Sequence, residues 1–353
     1  MNKINYFNNL INPLWIPREI SINGFTNKKL ISMLKKMVEI RLSEKIIAEN
    51  KKNGFIKGPV HLGIGQEAIA VGVSENLNSK DKVFGGHRSH AHLIALGSSC
   101  FKLFAELLSK PSGHSKGMGG SMHLIDKSKG FYGSVPIVSG TVPLAVGSGL
   151  ACKMQKSKSV ALSYFGDGAL EEGVVHESLN LASIYKLPVI FILENNLFAS
   201  HMHISLRQPN LSSTRFAEAN NIPFEIVDGN NVVEVSNAAK KAIEKARSGN
   251  GPFFIEAITY RWNGHVDWRD DIDVGIKRSE EDLKNWKKRD PIQRLNEKLI
   301  KEEIINKNFY SELINKIYKN LKSDWEHALR SPDINPEKLL SNVYFQEEGN
   351  IND

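Results

Sequence analysis

The fold of this chain is decided by residues 160–196, VALSYFGDGALEEGVVHESLNLASIYKLPVIFILENN. Two apolar runs, 160–165 and 189–193, have the composition of parallel strands that are buried on both faces. Between them, 174–185 carries apolar residues at helical spacing. The segment predicts a strand, a helix and a second strand. The same alternation continues to residue 257, so we predict an α/β fold with a parallel sheet flanked by helices.

Polar residues follow both of these strands. Residues 166–169 read Gly-Asp-Gly-Ala, and residues 194–196 read Glu-Asn-Asn. Because the carboxyl ends of parallel strands meet at one edge of a sheet, both groups are expected at one ligand site, where glycines let the backbone approach phosphate oxygens. Magnesium prefers oxygen ligands, which here are the Asp167 carboxylate, the Asn196 amide and the backbone carbonyl of Phe198. The pair predicts a magnesium diphosphate site, whereas either group alone is more often a turn or a strand-end cap.

Further blocks of sequence accompany this pair in a fixed order. They are HLGIGQEA at 61–68, HRSH at 87–90, KGMGGSMH at 116–123, IV at 137–138, VPL at 142–144, YRWNGH at 260–265 and RDPI at 289–292. With these blocks the chain resembles the α subunit of the thiamine-diphosphate-dependent first component of 2-oxo acid dehydrogenase complexes, a family that includes pyruvate, branched-chain 2-oxo acid and acetoin dehydrogenases. The resemblance covers most of the chain. It implies a thiamine-diphosphate-binding fold with an N-terminal helix and a C-terminal helical extension.

The resemblance also implies cofactors, thiamine diphosphate and Mg²⁺, and roles for individual residues. Those implied to contact thiamine diphosphate are His87, Arg88, Val138, Gly166, Gly168, Ala169, Asn196, Arg261 and His265, and those implied to hold Mg²⁺ are Asp167, Asn196 and Phe198. His87 departs from the family, which commonly has tyrosine there. The Arg88 guanidinium suits bidentate binding of phosphate. For Arg261, a structural salt bridge is an equal alternative.

Two histidines are the candidate catalytic residues, His265 first and His61 second. His265 lies in a polar loop after a strand, where an imidazole is expected to reach substrate and to titrate near neutral pH. The family also has a Gly-His pair at this place, near the cofactor diphosphate and the reacting carbon. His123, His201 and His203 are expected only to border the site.

The resemblance implies partners as well. In the two-subunit family a glutamate of the β subunit hydrogen-bonds the pyrimidine ring, so an α2β2 heterotetramer is implied. The implied substrate is a small 2-oxo acid or acetoin, and the acceptor is a lipoyl-bearing acyltransferase component. Apolar residues of the helix at 172–185 are expected at the subunit interface, namely Val174, Val175, Leu179 and Ala182. Two alternatives stay open, a split transketolase-like carboligase subunit and a non-catalytic cofactor-binding assembly subunit.

Composition argues against several other classes of protein. The 353 residues are 41% hydrophobic and 24% charged, and the net charge of +7 arises from lysines interleaved with glutamates. Such runs are typical of solvated helix faces, and no motif predicts nucleic-acid binding. No apolar run approaches the length of a membrane span. Two cysteines without a Cys-x-x-Cys pair favour neither disulfides nor structural zinc. We therefore expect a cytoplasmic enzyme that binds neither nucleic acid nor membranes.

Three regions are predicted along the chain. They are an N-terminal arm and helix at 1–53, a thiamine-diphosphate-binding α/β domain at 54–278 and a C-terminal helical extension at 279–353. The glycine-rich stretch at 110–148 is expected to be a long functional loop. Residues 63–68 match a loose dinucleotide-binding pattern, but no strand is predicted before them, so a nicotinamide site is not expected.

Overall fold

The computed structural model describes residues 3–269 and 278–337. Its helices are α1 (Lys3–Ile11), α2 (Asn27–Lys52), α3 (Glu67–Ser74), α4 (His90–Ala95), α5 (Cys100–Leu107), α6 (Val142–Met154), α7 (Gly173–Ile184), α8 (Thr214–Ala219), α9 (Val232–Arg247), α10 (Glu280–Lys287), α11 (Pro291–Lys301) and α12 (Lys307–Arg330). Its strands are β1 (Lys82–Gly85), β2 (Phe131–Ser134), β3 (Ala161–Gly166), β4 (Val189–Asn195), β5 (Phe198–Ala199), β6 (Met202–His203), β7 (Phe224–Asp228) and β8 (Phe253–Ile258).

Six of the strands form one sheet in the order β2-β1-β3-β4-β8-β7, and every neighbouring pair is parallel. The strands β5 and β6 form a separate short hairpin. The central strands β4 and β8 are buried along their whole length, which explains their nearly continuous apolar sequence. The predicted α/β fold with a parallel sheet flanked by helices is confirmed.

Helices cover both faces of the sheet. Along β3, Leu162 and Tyr164 belong to one hydrophobic core, whereas Ala161 and Phe165 belong to the other. Helices α2, α3 and α9 contribute to the first core, and α6, α7 and α8 contribute to the second. Because side chains alternate between the faces of a strand, a single buried strand supplies both cores.

A buried ion network joins the first long helix to the rest of the chain. The Arg41 guanidinium of α2 forms an ion pair with Glu67 of α3 and a second one, at 3.1 Å, with Asp290, which precedes α11. The guanidinium also lies over the ring of Trp262, 4.1 Å from its centroid. The Glu67 carboxylate accepts a further hydrogen bond from the backbone N–H of Gly65. Burial would penalise each charge alone, so the pairing makes these buried charges tolerable.

The glycine-rich loop around residues 113–120 is organised by one buried carboxylate. Glu106 of α5 accepts hydrogen bonds from the backbone N–H groups of Ser115, Gly117, Gly119 and Gly120, at 2.7–3.1 Å. The four backbone N–H groups of this loop therefore already have an acceptor inside the protein.

The C-terminal helices pack on the N-terminal part of the chain. Ser279 caps α10, as the sequence indicates, because its Oγ accepts a hydrogen bond from the Asp282 N–H at 3.2 Å. On α12, the Trp325 ring meets the Phe104 ring of α5 with centroids 5.5 Å apart. Residues 338–353 of the predicted helical extension lie outside the described residues. The boundaries of the three predicted regions stay predictions.

The prediction of a long loop at 110–148 is wrong in part. This stretch contains the edge strand β2 and the first half of α6. Gly149, which follows this stretch in α6, has a packing role, because a Cβ there would lie 2.5 Å from the Val189 side chain. Glycine therefore lets this helix approach β4 closely.

The interface prediction for α7 is also wrong in its residues. Val175, Leu179 and Ala182 are buried in the core of this chain, and Val174 packs against that core. The large exposed apolar side chains at this helix are instead Leu181, Ile184 and Tyr185, which are 42%, 65% and 51% exposed. The helical period places Val175, Leu179 and Ala182 on one face of α7 and Ile184 on the opposite face.

Gly65 provides a test of how tightly the loop before α3 is packed. Its φ is +100°, and a Cβ there would lie 2.5 Å from the Trp262 ring and 2.7 Å from the Tyr260 carbonyl oxygen. We expect Gly65→Ala to lower the free energy of unfolding by about 3 kcal/mol, because it combines backbone strain with overpacking. Urea unfolding provides the measurement. Gly58→Ala is the control, since a Cβ there meets no atom within 4 Å. Equal stability of the two variants would contradict the expectation.

Candidate active site

A cavity of about 400 Å³ opens at the carboxyl end of the sheet. Eleven of the sequence-predicted site residues line it: His61, His87, Arg88, Val138, Gly166, Asp167, Gly168, Ala169, Asn196, Phe198 and His265. Arg261 lies behind the wall instead, where its buried guanidinium donates to the carbonyl oxygen of Ser200, a lining residue. Fold and loop geometry therefore bring almost the whole predicted set into one concave site.

The register of β3 and β4 explains why the two polar groups meet. The strands pair in parallel from Ala161 with Val189 to Gly166 with Glu194. The residues that follow each strand therefore leave the sheet side by side. Gly168 is needed for close packing here, because a Cβ at this position would lie 2.6 Å from the Cβ of Ala199 in β5.

Asp167 is buried and already has a cationic partner. Its carboxylate forms an ion pair with Arg207, whose guanidinium also pairs with Glu171. Burial raises the pKa of Asp167, and the Arg207 charge opposes that rise. No local pattern in the sequence indicates Arg207, because this residue lies outside any motif and follows the β5–β6 hairpin.

Asn196 is held by hydrogen bonds on both sides of its amide. Its Oδ1 accepts from the Phe198 N–H at 3.2 Å, and its Nδ2 donates to Gln66 Oε1 at 3.2 Å. Phe198 itself begins the β5–β6 hairpin. An amide oxygen has two lone pairs, so Asn196 Oδ1 retains capacity for a further ligand. Gln66 also lines the cavity and belongs to the HLGIGQEA block, which was a usable signal.

Three histidines from separate parts of the chain cluster in the cavity wall. The ring centroids of His61 and His87 are 4.7 Å apart, those of His61 and His265 are 5.1 Å apart, and those of His87 and His265 are 5.4 Å apart. Burial, reinforced by the Arg88 charge, lowers their pKa values to about 3, about 2 and about 3, respectively. The expectation that His265 titrates near neutral pH is therefore wrong, because the side chain is more buried than a surface loop would make it.

Arg88 holds two of these histidine-bearing loops together. Its guanidinium donates to the Leu62 carbonyl oxygen and, at 3.2 Å, to the His265 carbonyl oxygen. Burial lowers the Arg88 pKa to about 10, so the group is still positive at neutral pH. On the other side, both Glu44 carboxylate oxygens accept from the Gly63 N–H at 2.9 Å. The loop that carries His61 is thus fixed from two directions.

A second polar group in the cavity was missed by the sequence reasoning. His92 Nε2 lies 3.1 Å from Glu194 Oε1, and the His92 ring stacks on Tyr164 with centroids 3.9 Å apart. All three residues line the cavity. The sequence could have indicated Glu194, because this residue directly precedes the Asn-Asn pair at the end of β4.

Comparison with known proteins agrees with this geometry. Residues 35–337 match the family described as the dehydrogenase E1 component. The chain belongs to this family. The family prediction made from the sequence blocks is confirmed, and E1 dehydrogenases are a thiamine-diphosphate-dependent family, so the predicted organic cofactor follows from the membership. Within the described residues, no helix is both long and apolar enough to cross a membrane.

Several curated relatives align with most of this E1 chain. The α subunit of acetoin:2,6-dichlorophenolindophenol oxidoreductase from Bacillus subtilis is 38% identical over 92% of this chain and 96% of its own length. The pyruvate dehydrogenase E1 α subunit from Rhizobium meliloti is 39% identical over 74% of this chain and 77% of its own length. The testis-specific mitochondrial pyruvate dehydrogenase E1 α subunit from Homo sapiens is 34% identical over 88% of this chain and 79% of its own length.

The residues of this E1 chain fit the diphosphate end of thiamine diphosphate. Arg88 supplies a half-buried guanidinium at the cavity wall, and Asp167 and Asn196 supply oxygen donors at the neighbouring strand ends. The His61 Nδ1 atom is buried without a hydrogen-bond partner among the described residues, so a polar group is free to face the cavity. The volume of about 400 Å³ lies within the range typical of small-molecule sites.

A buried glutamate fixes the segment that follows β4. Glu256 of β8 accepts from Asn195 Nδ2 at 2.9 Å, from the Ser213 N–H at 3.1 Å and from Ser212 Oγ at 3.2 Å. The segment between these contacts carries both Asn196 and Arg207. Glu256 therefore ties down both ends of the chain portion that supplies the candidate metal ligand.

This glutamate is expected to make stability depend on pH. Burial raises the Glu256 pKa from 4.5 to about 7, so the folded protein favours the protonated form. Its contribution to stability is complete below pH ~4.5 and is lost as the pH rises through ~7. Glu256→Gln should therefore flatten the pH dependence of the free energy of unfolding between pH 5 and 8, by about 2–3 kcal/mol.

Urea unfolding across this pH range measures the effect. The exposed residue Glu177 provides the control, because Glu177→Gln changes the same chemical group on the surface of α7. A wild-type pH slope in Glu256→Gln would contradict the expectation.

Proposed function

We propose that this chain is the α subunit of a thiamine-diphosphate-dependent 2-oxo acid or acetoin dehydrogenase first component. Its complex would decarboxylate or cleave a small substrate and pass the acyl or aldehyde unit to a lipoyl carrier. The observation that carries this proposal is the convergence, in one cavity, of oxygen donors at the ends of β3 and β4 with the histidines of two other loops. The names of the relatives from Bacillus subtilis and Rhizobium meliloti support the same two substrate classes.

For the metal we propose Mg²⁺, held by the Asp167 carboxylate, the Asn196 amide oxygen and the Phe198 backbone carbonyl. All three residues line the cavity, and such hard oxygen donors suit Mg²⁺ with diphosphate completing its shell. Arg88 and His87 would contact the diphosphate, the backbone around Gly166, Gly168 and Ala169 would lie against it, and Val138 would contact the pyrimidine ring. Arg261, behind the wall, would support the Ser200 backbone.

The bound cofactor supplies a thiazolium electron sink for cleavage beside a carbonyl group. His265 is proposed to act on the reacting groups as a hydrogen-bond donor. Arg88 Nη2 lies 3.5 Å from His265 Nδ1, and a guanidinium can only donate, so this contact favours the tautomer with its proton on Nε2. The low pKa of His265 makes this neutral form the one present at neutral pH. His61, in edge contact with the same ring, is the second candidate.

A β subunit is proposed to complete the site in an α2β2 heterotetramer. Ile137, Val138 and Leu144 are 72%, 48% and 54% exposed, and the first two line the cavity. Large apolar side chains at the mouth of a site are typical of surfaces covered by another protein. We propose that the partner covers them and supplies the glutamate for the pyrimidine ring. A lipoyl-bearing acyltransferase component and a cytoplasmic location complete the proposal.

The metal site has a direct test. Asp167→Asn should weaken Mg²⁺-dependent binding of thiamine diphosphate by at least about 100-fold, because it removes the anionic ligand of the ion. Isothermal titration calorimetry on the reconstituted α and β chains gives the affinity. Glu171→Gln is the control, since Glu171 shares the Arg207 partner but is not a proposed ligand. Unchanged affinity in Asp167→Asn would exclude this metal site.

The activity is tested with co-expressed α and β chains, a panel of 2-oxo acids and acetoin, and an artificial electron acceptor. We expect turnover of one substrate class, acyl transfer to lipoamide, and no turnover by the isolated α chain. His265→Ala should lower turnover by roughly 10²–10³-fold, the usual contribution of a positioned hydrogen-bond donor. Ketol transfer between sugars would favour the transketolase-like alternative. Absence of both activities with a bound β chain would leave the assembly-subunit alternative.

A further inference from the structure

The cluster of His61, His87 and His265 has the composition of a metal site of a different kind from the oxygen-lined one. One ring nitrogen of each residue can be chosen so that all three atoms lie within 4.8 Å of one another. Three nitrogen ligands of one tetrahedral ion lie about 3.4 Å apart, given metal–nitrogen distances of 2.0–2.1 Å. Small rotations of the three rings would close the difference.

One nitrogen of the cluster, on His61, lacks a partner within the described part of the chain, whereas His265 Nδ1 faces the Arg88 guanidinium at 3.5 Å and would have to release this contact if it is the atom that binds the ion. His61 is 7% exposed, and its Nδ1 has no hydrogen-bond partner among the described residues. Leaving such an atom unpaired is unfavourable, and a ligand would recover that cost. In the part of the chain that the structure describes, the His87 ring makes edge contacts with the other two rings. Burial beside Arg88 keeps all three imidazoles neutral, and the neutral form is the one that binds a metal.

The charges around the cluster permit a cation but limit its affinity. The Arg88 guanidinium, 3.5 Å from His265 Nδ1, repels a positive ion. The Glu44 and Glu194 carboxylates interact favourably with the Arg88 charge and would also attract a cation. Glu194 lines the same cavity. A reversible site is therefore expected, weaker than a structural zinc site that is closed by thiolates.

We propose that His61, His87 and His265 form a binding site for a divalent transition metal such as Zn²⁺, separate from the Asp167 and Asn196 site. Imidazole ligands suit Zn²⁺, Co²⁺, Ni²⁺ and Cu²⁺, whereas Mg²⁺ prefers oxygen. Three protein ligands facing a cavity leave a fourth position open. If the proposed function holds, a bound ion would occupy both histidines assigned to turnover, so transition metals would inhibit the enzyme.

The test uses Co²⁺ as the probe, on the full-length chain in complex with its β subunit and stripped of cofactor. Wild-type protein should bind one Co²⁺ with intense visible absorption typical of tetrahedral nitrogen ligation. Millimolar Mg²⁺ should leave this signal unchanged. His87→Tyr, which introduces the residue common in the family, should weaken Co²⁺ binding by about 10–100-fold. Asp167→Asn should retain the signal, because it alters only the oxygen site.

Two further variants make the outcome decisive. His176→Gln, whose ring packs on Phe216 away from the cavity, is the control and should bind Co²⁺ like the wild type. His61→Gln repeats the test at a second ligand if His87→Tyr is poorly folded by circular dichroism. Full Co²⁺ binding in either ligand variant would overturn the proposal, as would weak absorption that disappears in Asp167→Asn. The assay needs neither thiamine diphosphate nor substrate, so its result is independent of whether the proposed activity is found.

Discussion

The site depends first on the parallel, in-register pairing of β3 and β4. Six consecutive residue pairs run from Ala161 to Gly166 on one strand and from Val189 to Glu194 on the other. Because the strands are parallel, the residues that follow both of them leave the sheet at the same edge. Because the pairing is in register, these residues lie side by side. The oxygen-bearing side chains can then face one cavity. The other contributors, the loops after β1 and β8, reach the same edge because those strands belong to the same parallel sheet.

Buried carboxylates hold the irregular segments around this edge. Glu44 binds the N–H of Gly63, Glu106 binds four N–H groups of the glycine-rich loop, and Glu256 binds the chain near Ser213. Loops cannot satisfy their own backbone groups as helices and strands do. The two oxygens of a carboxyl group can accept several such hydrogen bonds at once. Each carboxylate therefore converts a non-repetitive segment into a fixed wall of the cavity.

Local sequence predicted those parts of the fold that local patterns control. The strands β3, β4 and β8 are continuous apolar runs, and the Ser279 cap is a short-range pattern. The start of helix α6 was missed because the glycine-rich composition of 110–148 is typical of a loop, whereas a helical glycine can instead serve a close contact, as Gly149 does with Val189. At the site, His61 and His265 were found through their motifs. The contact between these two histidines and their low pKa values arise from tertiary burial. The ion pair of Arg207 with Asp167 also depends on tertiary structure. No local sequence pattern indicates these features.

The ion pair of Asp167 with Arg207 means that the candidate metal ligand has a cationic partner before any metal ion binds. If Asp167 holds the proposed ion, the ion would have to displace the guanidinium, which also pairs with Glu171. Part of the attraction between Asp167 and the ion would then offset the loss of the Asp167–Arg207 pair. Arg207 lies on the same chain segment as Asn196, so ion binding would be coupled to the conformation of that segment. The arginine would shift this equilibrium toward the ion-free form.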